Sequence, residues 1–293
     1  MQDTVIRLKG LTKYYGKQRG IEDLSFSVKE GEIFGFIGPN GAGKSTTIRT
    51  LMGLLHPDRG EATIFGLDCR TQAAEIAKRV GYLPGENGYY EELKVRELLQ
   101  YTAELYGMDG KERMEELSER FHLDLSRKIR DLSFGNKKKV GILSALLPSP
   151  DLLILDEPTS GLDPLMQQTL YSILLEENAK GTTIFLSSHV LAEVQKLCSR
   201  VAILRDGKLI DIQSIQEIRE NGYKKVTLTL QSPPVQELRH RQEIADYQEK
   251  DGRLSFLYRG HSKKLLETLQ TLDLSDVLIE DPSLEEIFLH YYE

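Results

Sequence analysis

The chain has 293 residues, and its 40% hydrophobic and 28% charged content is typical of a globular protein with a sizeable core, folded as one large domain or two. A formal net charge of -7 argues against general nucleic-acid binding, and the sequence has neither an apolar leader nor the run of about 18 apolar residues that a membrane span needs. Cys69 and Cys198 lack metal-site spacing, and we expect two reduced thiols in a soluble, cytosolic protein.

Short apolar runs alternate with helical patterns along the first 212 or so residues. The runs at 32–38, 152–156 and 182–188 do not alternate with polar residues and end in turn residues. Strands that are buried on both faces of a mostly parallel α/β sheet have this pattern. Residues 201–210 form two more apolar runs around an Asp-Gly pair, which predicts a hairpin.

A phosphate-loop pattern follows the first of these predicted strands. Residues 38–46, GPNGAGKST, fit G-x-x-x-x-G-K-[ST] and precede a helical pattern. The glycines let backbone N–H groups point at a phosphate, Lys44 can neutralise phosphate charge, and the Ser45 hydroxyl suits Mg²⁺. A chance match in a glycine-rich turn is the alternative, but the strand before the loop and the helix after it favour a nucleotide site.

Between residues 91 and 146 the pattern becomes helical, which predicts a helical insertion in the α/β core. One of its helices begins within LSFGNKKKV, residues 132–140, with three consecutive lysines near its start. The helix dipole disfavours cations there by about 0.3–1 kcal/mol each, but a bound anion would offset this cost. We therefore expect a phosphate to face Ser133, and at least two of the lysines to lie on a solvated face.

Polar residues end two of the predicted buried strands, at the edge where open α/β sheets place their ligands. Asp156 is suited to hold Mg²⁺ from the second coordination shell of the metal. Glu157 is suited to polarise an attacking water. His189 follows residues 182–188 and is either a loop histidine without a special role or a partner of the γ-phosphate that holds the water or Glu157. A pair of solvated acids is the alternative for Asp156 and Glu157.

After residue 212 the pattern changes. Strands at 223–231, 243–250, 253–260 and 277–281 alternate with helical segments in the order βαββαβ, with one helix start at the Pro233-Pro234 pair. This order predicts a small ferredoxin-like α+β unit. A closing helix is predicted from a capping box that spans Ser283 to Glu286.

The motifs GPNGAGKST, LSFGN, LLILDEPTSGLD and LSSH, in this order, resemble those of the ATP-binding subunit of an ABC (ATP-binding cassette) transporter. The resemblance covers residues 1 to about 212. It implies a P-loop NTPase core of α/β class with an antiparallel β subdomain and a helical subdomain at about 86–146. The ATP-binding domain would then be 1–212, and 213–293 a small α+β accessory domain.

The resemblance also implies a role for each motif. The Walker A loop would bind ATP through Gly38, Pro39, Asn40, Gly41, Ala42, Gly43, Lys44, Ser45 and Thr46. Ser45 and the Walker B residue Asp156 would hold Mg²⁺, while Glu157, His189 and Lys44 would be catalytic. Tyr15, in LTKYYG, would stack on the adenine, the alternative being a tyrosine that simply packs in a turn.

A second set of residues would act on the nucleotide of another subunit. The resemblance implies that two copies close head to tail, as a homodimer or pseudo-dimer, on two ATP molecules. The signature residues Ser133, Gly135 and Asn136 would then touch ATP in trans, and Ser160 to Asp163 would form the D-loop.

Two departures from the family pattern alter these expectations. The usual glutamine after the strand VGYLP is Gly85 here, and Glu86, the next residue, is a doubtful substitute as a metal ligand. The usual signature LSGGQ is LSFGN, where Phe134 requires its side chain to point away from the nucleotide. We interpret the second change as a subfamily variant that still functions.

The resemblance implies the ATPase subunit of a transporter, peripheral on the inner face of the cell membrane, acting with a separate permease. The ending DPSLEEIFLHYYE is similar to that of cassettes paired with ABC-2-type export permeases. Residues 85–90 are the expected permease contact, although Tyr89 and Tyr90 equally suit internal packing. The alternative is a soluble regulatory, translation-associated or DNA-associated ATPase of the same family.

Overall fold

The computed structural model describes residues 3–86, 88–220, 223–230, 238, 241, 243–250 and 252–282. The chain divides into two compact units. One takes the chain up to Val190 together with Leu197–Ile212, and the other takes Leu191–Lys196 and the chain from Gln213 onward. Within the described residues, no helix is both long and apolar enough to span a membrane.

The strands of the first unit form two sheets. In chain order they are β1 (Thr4–Tyr15), β2 (Gln18–Lys29), β3 (Ile33–Ile37), β4 (Arg59–Ile64), β5 (Leu67–Asp68), β6 (Val80–Leu83), β7 (Leu152–Asp156), β8 (Thr183–Ser188), β9 (Arg200–Arg205) and β10 (Lys208–Ser214). One sheet is antiparallel, in the order β2-β1-β4-β5. The other has the order β10-β9-β3-β8-β7-β6, with parallel pairing from β9 through β6.

The parallel sheet confirms the interpretation of the unalternating apolar runs. Every residue of β3, β7 and β8 is buried, as strands covered on both faces require. Ile37 pairs with Ser188, and Asp156 with Ser187, so the three strands end at one edge of the sheet. The phosphate loop, the acidic pair and His189 therefore emerge side by side.

The predicted hairpin is also present. Asp206 and Gly207 separate β9 from β10, and both have positive φ, 50° and 73°. Positive φ at both central residues is the signature of a type I′ hairpin turn, which an Asp-Gly pair favours.

The helices of the first unit cover the parallel sheet or form the predicted helical insertion. They are α1 (Lys44–Leu51), α2 (Ala73–Ala77), α3 (Val95–Leu105), α4 (Lys111–Arg120), α5 (Phe134–Leu146) and α6 (Pro164–Ala179), with a 3-10 helix at Ile129–Asp131. α3, α4 and α5 lie between β6 and β7 in the chain. The core joins the two sheets through an aromatic group in which Phe26, Phe34 and Phe185 stack with ring centroids 5.5–6.2 Å apart.

The second unit contains a four-stranded antiparallel sheet. Its elements are α7 (Leu191–Leu197), α8 (Ile215–Glu220), β11 (Tyr223–Leu230), β12 (Ile244–Lys250), β13 (Arg253–Arg259), α9 (Ser262–Leu269) and β14 (Leu274–Glu280). The sheet order β12-β13-β11-β14 places the first and third strands in the centre, which is the split arrangement that βαββαβ predicts. The helix starts predicted at Pro233-Pro234 and Ser283 lie outside the described residues.

Candidate active site

The loop between β3 and α1 is shaped by three glycines. Gly41 and Gly43 have positive φ, 81° and 102°, which L side chains rarely adopt. A Cβ on Gly38 would lie 2.5 Å from the carbonyl oxygen of Leu204, so only glycine fits this close approach. The Gly207 N–H of the hairpin turn donates to Ala42 O at 3.1 Å and holds the loop from outside. α1 begins directly after the loop, where free N–H groups favour a phosphate.

Lys44, the first residue of α1, is 6% exposed and points back into the loop. Its Nζ donates to the carbonyl oxygens of Gly38 at 2.7 Å and Pro39 at 3.3 Å. It also lies 3.2 Å from Glu157 Oε1. A single ammonium group therefore joins the phosphate loop to the end of β7.

Glu157 follows β7 in a left-handed backbone conformation, with φ of 50°. Its N–H donates to Ser187, to the carbonyl oxygen at 3.3 Å and to Oγ at 3.1 Å. Its Oε2 lies 2.5 Å from His189 Nδ1. The structure thus brings together Lys44, Glu157 and His189, the three candidate catalytic residues.

Asp156 is buried at the end of β7. Its Oδ1 accepts a hydrogen bond from Ser187 Oγ at 2.5 Å. Among the described residues, no three His, Cys, Asp or Glu side chains gather as a metal site. The site does offer the Asp156 carboxylate and the Ser45 hydroxyl, which both contain oxygen donors. These are the hard oxygen donors that Mg²⁺ prefers.

A cavity of about 520 Å³ lies over these groups. The predicted site residues that line it are Tyr15, Asn40, Gly41, Ala42, Gly43, Lys44, Ser45, Thr46, Glu86, Asp156, Glu157 and His189. A second cavity of about 770 Å³, lined by Arg79, Asp151 and Glu177 among others, includes none of the motif residues. The first cavity is therefore the candidate nucleotide site.

Tyr15 stands at one end of this cavity. Its hydroxyl lies 3.4 Å from Thr46 Oγ1, and its ring is 46% exposed. A Cβ on Gly20 would lie 2.9 Å from the Tyr15 ring, so Gly20 leaves the space that the ring occupies. The ring presents a free aromatic surface beside the phosphate loop.

The signature residues stand outside the cavity of their own chain. Ser133 is the exposed N-cap of α5, and its Oγ accepts from the Asn136 N–H at 3.3 Å. A Cβ on Gly135 would lie 2.6 Å from Gly161 O. The Phe134 ring lies against Gly161, where a Cβ would be 2.4 Å from Phe134 Cε1. Phe134 is nonetheless 68% exposed, as large apolar side chains seldom are.

Asp163 serves as the N-cap of α6. Its Oδ1 accepts from the N–H groups of Leu165 at 3.1 Å and Met166 at 3.0 Å. The side chain therefore orders the start of α6 and does not line the nucleotide cavity of its own chain.

Comparison with known proteins decides the family. Residues 21–160 match the family model described as ABC transporter. Bacitracin transport ATP-binding protein BcrA of Bacillus licheniformis is 36% identical over 298 residues, which cover 98% of this chain and 96% of BcrA. The chain belongs to the ATP-binding subunits of ABC transporters. The resemblance seen in the motifs is confirmed, and the nucleotide of this ABC subunit is ATP or ADP.

Other similar proteins agree with this assignment. Linearmycin resistance ATP-binding protein LnrL of Bacillus subtilis is 31% identical to the ABC subunit, over 98% of this chain and 97% of LnrL. A solved ATP-binding subunit of an ABC transporter has a TM-score of 0.70 and 37% identity, covering 74% of this chain and 92% of that chain. A dimeric bacterial ABC transporter cassette has a TM-score of 0.66 and 25% identity, covering 72% and 98%.

The glycine that replaces the usual glutamine of ABC subunits lies against Asp156. A Cβ on Gly85 would be 3.1 Å from Asp156 Oδ2 and 3.4 Å from its Cγ. A side chain at this position would therefore push the Asp156 carboxylate. Glu86 is exposed and lines the cavity, so its carboxylate remains within the candidate site.

The expectation of a solvated lysine face on the ABC subunit is wrong. Lys138 is 2% exposed and Lys139 9% exposed, while Lys137 pairs with Glu91 at 3.0 Å. Burial lowers the pKa of Lys138 to about 8, with Asp156 and Glu157 acting in the opposite direction. The Lys138 side chain points into its own chain, where its Nζ donates a hydrogen bond to Asp156 O at 3.3 Å.

The motifs did not indicate four residues that line the cavity of the ABC subunit, namely Gln18, Arg19, Gly20 and Arg49. Ser160, the first residue of the predicted D-loop, also lines this cavity. Arg49 could have been predicted from the sequence, because it lies four residues after Ser45 and therefore on the same face of α1. Arg19 and Gly20 come from β2, whose place beside the loop depends on the packing of the two sheets. No local pattern marks them.

Proposed function

We propose that this chain hydrolyses ATP in a head-to-tail dimer and thereby powers export through a separate membrane permease. The observation that carries the proposal is the contact of Glu157 with both Lys44 and His189 beside the phosphate loop. In this proposal residues 1–212 are the ATP-binding domain, with a helical subdomain at about 86–146, and 213–293 are an accessory domain.

The cavity suits a nucleoside triphosphate. The N–H groups of residues 38–46 would receive the phosphates, and the exposed Tyr15 ring would stack on the adenine. Phosphate oxygens would compete with Glu157 for Lys44, which releases the Glu157 carboxylate toward water. Mg²⁺, held by Ser45 and Asp156, would neutralise charge that develops on the phosphates. Glu86 is a further candidate ligand, since it lines the same cavity.

Hydrolysis in this site depends on positioning and electrostatics. Glu157 orients the attacking water and accepts its proton. His189 holds the Glu157 carboxylate through the contact at 2.5 Å. The other ring nitrogen of His189 would donate toward the γ-phosphate. Lys44 stabilises the charge of the phosphoryl oxygens.

A second copy would complete each site. Ser133, Gly135 and Asn136 lie outside the cavity of their own chain, and the N-terminus of α5 is open to an anion. We therefore propose that these residues bind the γ-phosphate held by the other subunit, with the D-loop around Asp163 between the two sites.

The proposed partner is an ABC-2-type permease, with the chain peripheral on the inner face of the membrane. BcrA is named for bacitracin transport and LnrL for linearmycin resistance, which supports export. Of the expected contact residues 85–90, Tyr90 is 70% exposed, whereas the Tyr89 hydroxyl donates internally to Lys137 O at 2.9 Å. Tyr90 is thus the better candidate for the permease contact.

Purification from detergent-solubilised membranes tests the proposal. We expect a polytopic membrane protein to co-purify with the tagged chain and to change its rate of MgATP hydrolysis. Recovery of ribosomes or nucleic acid without a membrane protein would instead support the alternative of a soluble regulatory, translation-associated or DNA-associated ATPase.

A further inference from the structure

Lys138 makes a contact that the roles described above leave unused. The residue lies in the second turn of α5, two positions after the last signature residue, and it is almost completely buried. Its Nζ donates to the backbone carbonyl oxygen of Asp156 at 3.3 Å. A buried ammonium normally has a specific partner, because removing its charge from water is expensive.

The Asp156 carbonyl belongs to the peptide unit that leads into Glu157. The N–H of that unit is held by Ser187, at 3.1 Å from Oγ and 3.3 Å from the carbonyl oxygen. Because a peptide unit is planar, Lys138 on one side and Ser187 on the other fix its orientation. The side chain of Glu157 extends from this fixed unit.

The backbone of Glu157 needs such support. A φ of 50° places it in the left-handed region, which is unfavourable for a residue with a side chain. Such conformations persist where surrounding contacts fix them. In this conformation the carboxylate reaches Lys44 on one side and His189 on the other.

The base of the Lys138 side chain is itself held in place. The carbonyl oxygen of Lys137 accepts from the Tyr89 hydroxyl at 2.9 Å, and Lys137 Nζ lies 3.0 Å from Glu91 Oε1. These contacts attach the start of α5 to the segment that follows β6. The Lys138 ammonium therefore extends from a helix whose start is held in place by these contacts.

We propose that Lys138 is a positioning residue that holds the Asp156–Glu157 peptide and thereby aims the Glu157 carboxylate. This inference rests on the proposed ATPase function. Lys138 is not among the residues that line the nucleotide cavity, and it acts through the backbone of the two acids.

Steady-state MgATP hydrolysis by the full chain tests the inference. Lys138→Met keeps the length of the side chain but removes the donor and the charge. We expect kcat to fall about tenfold while KM for ATP changes by less than about twofold. Lys138→Arg retains a cationic donor and should recover at least one third of the wild-type kcat.

Lys139→Met is the matched control, since it replaces the adjacent buried lysine without touching the Asp156 carbonyl. Its kcat should stay within about twofold of wild type. Lys138→Gln provides a second neutral variant with an N–H donor, and thermal unfolding of each variant checks that it is folded. The kcat of Lys138→Gln should lie between the kcat values of Lys138→Met and Lys138→Arg.

Two results would overturn the inference while leaving the proposed function intact. The first is a Lys138→Met variant with wild-type kcat, and the second is an equal loss of kcat in the Lys138 and Lys139 variants. If the wild-type chain itself hydrolyses no ATP, the proposed function and the inference both fail.

Discussion

The Nζ of Lys44 lies 3.2 Å from Oε1 of Glu157. One residue begins α1 and the other follows β7, so the pair joins two motifs that are more than a hundred positions apart in the chain. The ammonium holds the carboxylate at the mouth of the phosphate loop.

Glu157→Gln should bind ATP and fail to hydrolyse it. The amide keeps the shape of the side chain but cannot accept a proton from water, and general-base catalysis contributes about 10²–10⁴-fold. We expect phosphate release to fall at least about a hundredfold and the variant to run as a dimer on gel filtration with MgATP. Glu176→Gln, which changes a surface glutamate on α6, is the control and should behave as wild type. Hydrolysis at the wild-type rate would exclude Glu157 as the base.

Ser133→Arg should prevent ATP-driven dimerisation and leave nucleotide binding by the monomer intact. Ser133 is exposed, lies outside its own cavity and caps α5. Ser133→Ala is the control, because it also loses the cap, at a cost of about 0.5–2 kcal/mol, without adding bulk. The two proteins are compared by light scattering in the Glu157→Gln background. A Ser133→Arg dimer as stable as the dimer of the Glu157→Gln parent would contradict the role of the signature in trans.

Tyr15→Ala should weaken ATP binding, whereas Tyr15→Phe should not. Stacking of a base on an aromatic ring contributes about 1–3 kcal/mol, which corresponds to roughly five-fold to a hundred-fold in affinity. The hydroxyl contact with Thr46 is long, at 3.4 Å, and we expect its loss to matter little. Titration with a fluorescent ATP analogue measures both affinities. Equal affinity of the Ala and Phe variants would show that the ring does not stack.

Much of the fold could be predicted from the sequence because burial on both faces leaves a local signal. The runs that became β3, β7 and β8 are apolar throughout, and Asp206-Gly207 carries the turn chemistry of its hairpin. The edge at which Asp156 and His189 meet then follows from parallel pairing.

The environment of the lysine run could not be predicted in this way. Lysine is almost never fully buried without a partner, so three lysines in sequence indicate a solvated face. The partner of Lys138 is a backbone carbonyl eighteen positions away, at the end of β7. Likewise, the contact of Phe134 with Gly161 depends on how closely the two loops approach, which no spacing in the sequence records.

Gly85→Gln, which restores the residue usual in the family, should lower activity. The new Cβ would lie 3.1 Å from Asp156 Oδ2, and the carboxylate would have to shift by a few tenths of an ångström, which would disturb its hydrogen bond from Ser187 Oγ. We expect kcat to fall about threefold to tenfold and the concentration of Mg²⁺ needed for half-maximal rate to rise. Glu86→Gln is the control for a charge change at the same loop. A rise in kcat would show that Asp156 adjusts without loss.

Lys138→Met should stabilise the protein at neutral pH. Burial lowers the pKa of Lys138 from 10.5 to about 8, so the unfolded chain binds more protons between these values and the stability of the wild type rises with pH across this window. Below pH 8 the full cost of the buried charge is present. In metal-free and nucleotide-free protein we expect the variant to gain on the order of 1–3 kcal/mol at pH 7.

This gain should shrink as the pH approaches 10.5, because the wild-type lysine then folds uncharged. Urea unfolding at pH 7 and pH 9.5 in EDTA measures the difference, with Lys78→Met, an exposed lysine at the end of α2, as control. A stability difference that is the same at both pH values would contradict the prediction. A gain at pH 7 together with the loss of kcat would mean that Lys138 lowers stability and supports catalysis, a trade-off found at many active sites.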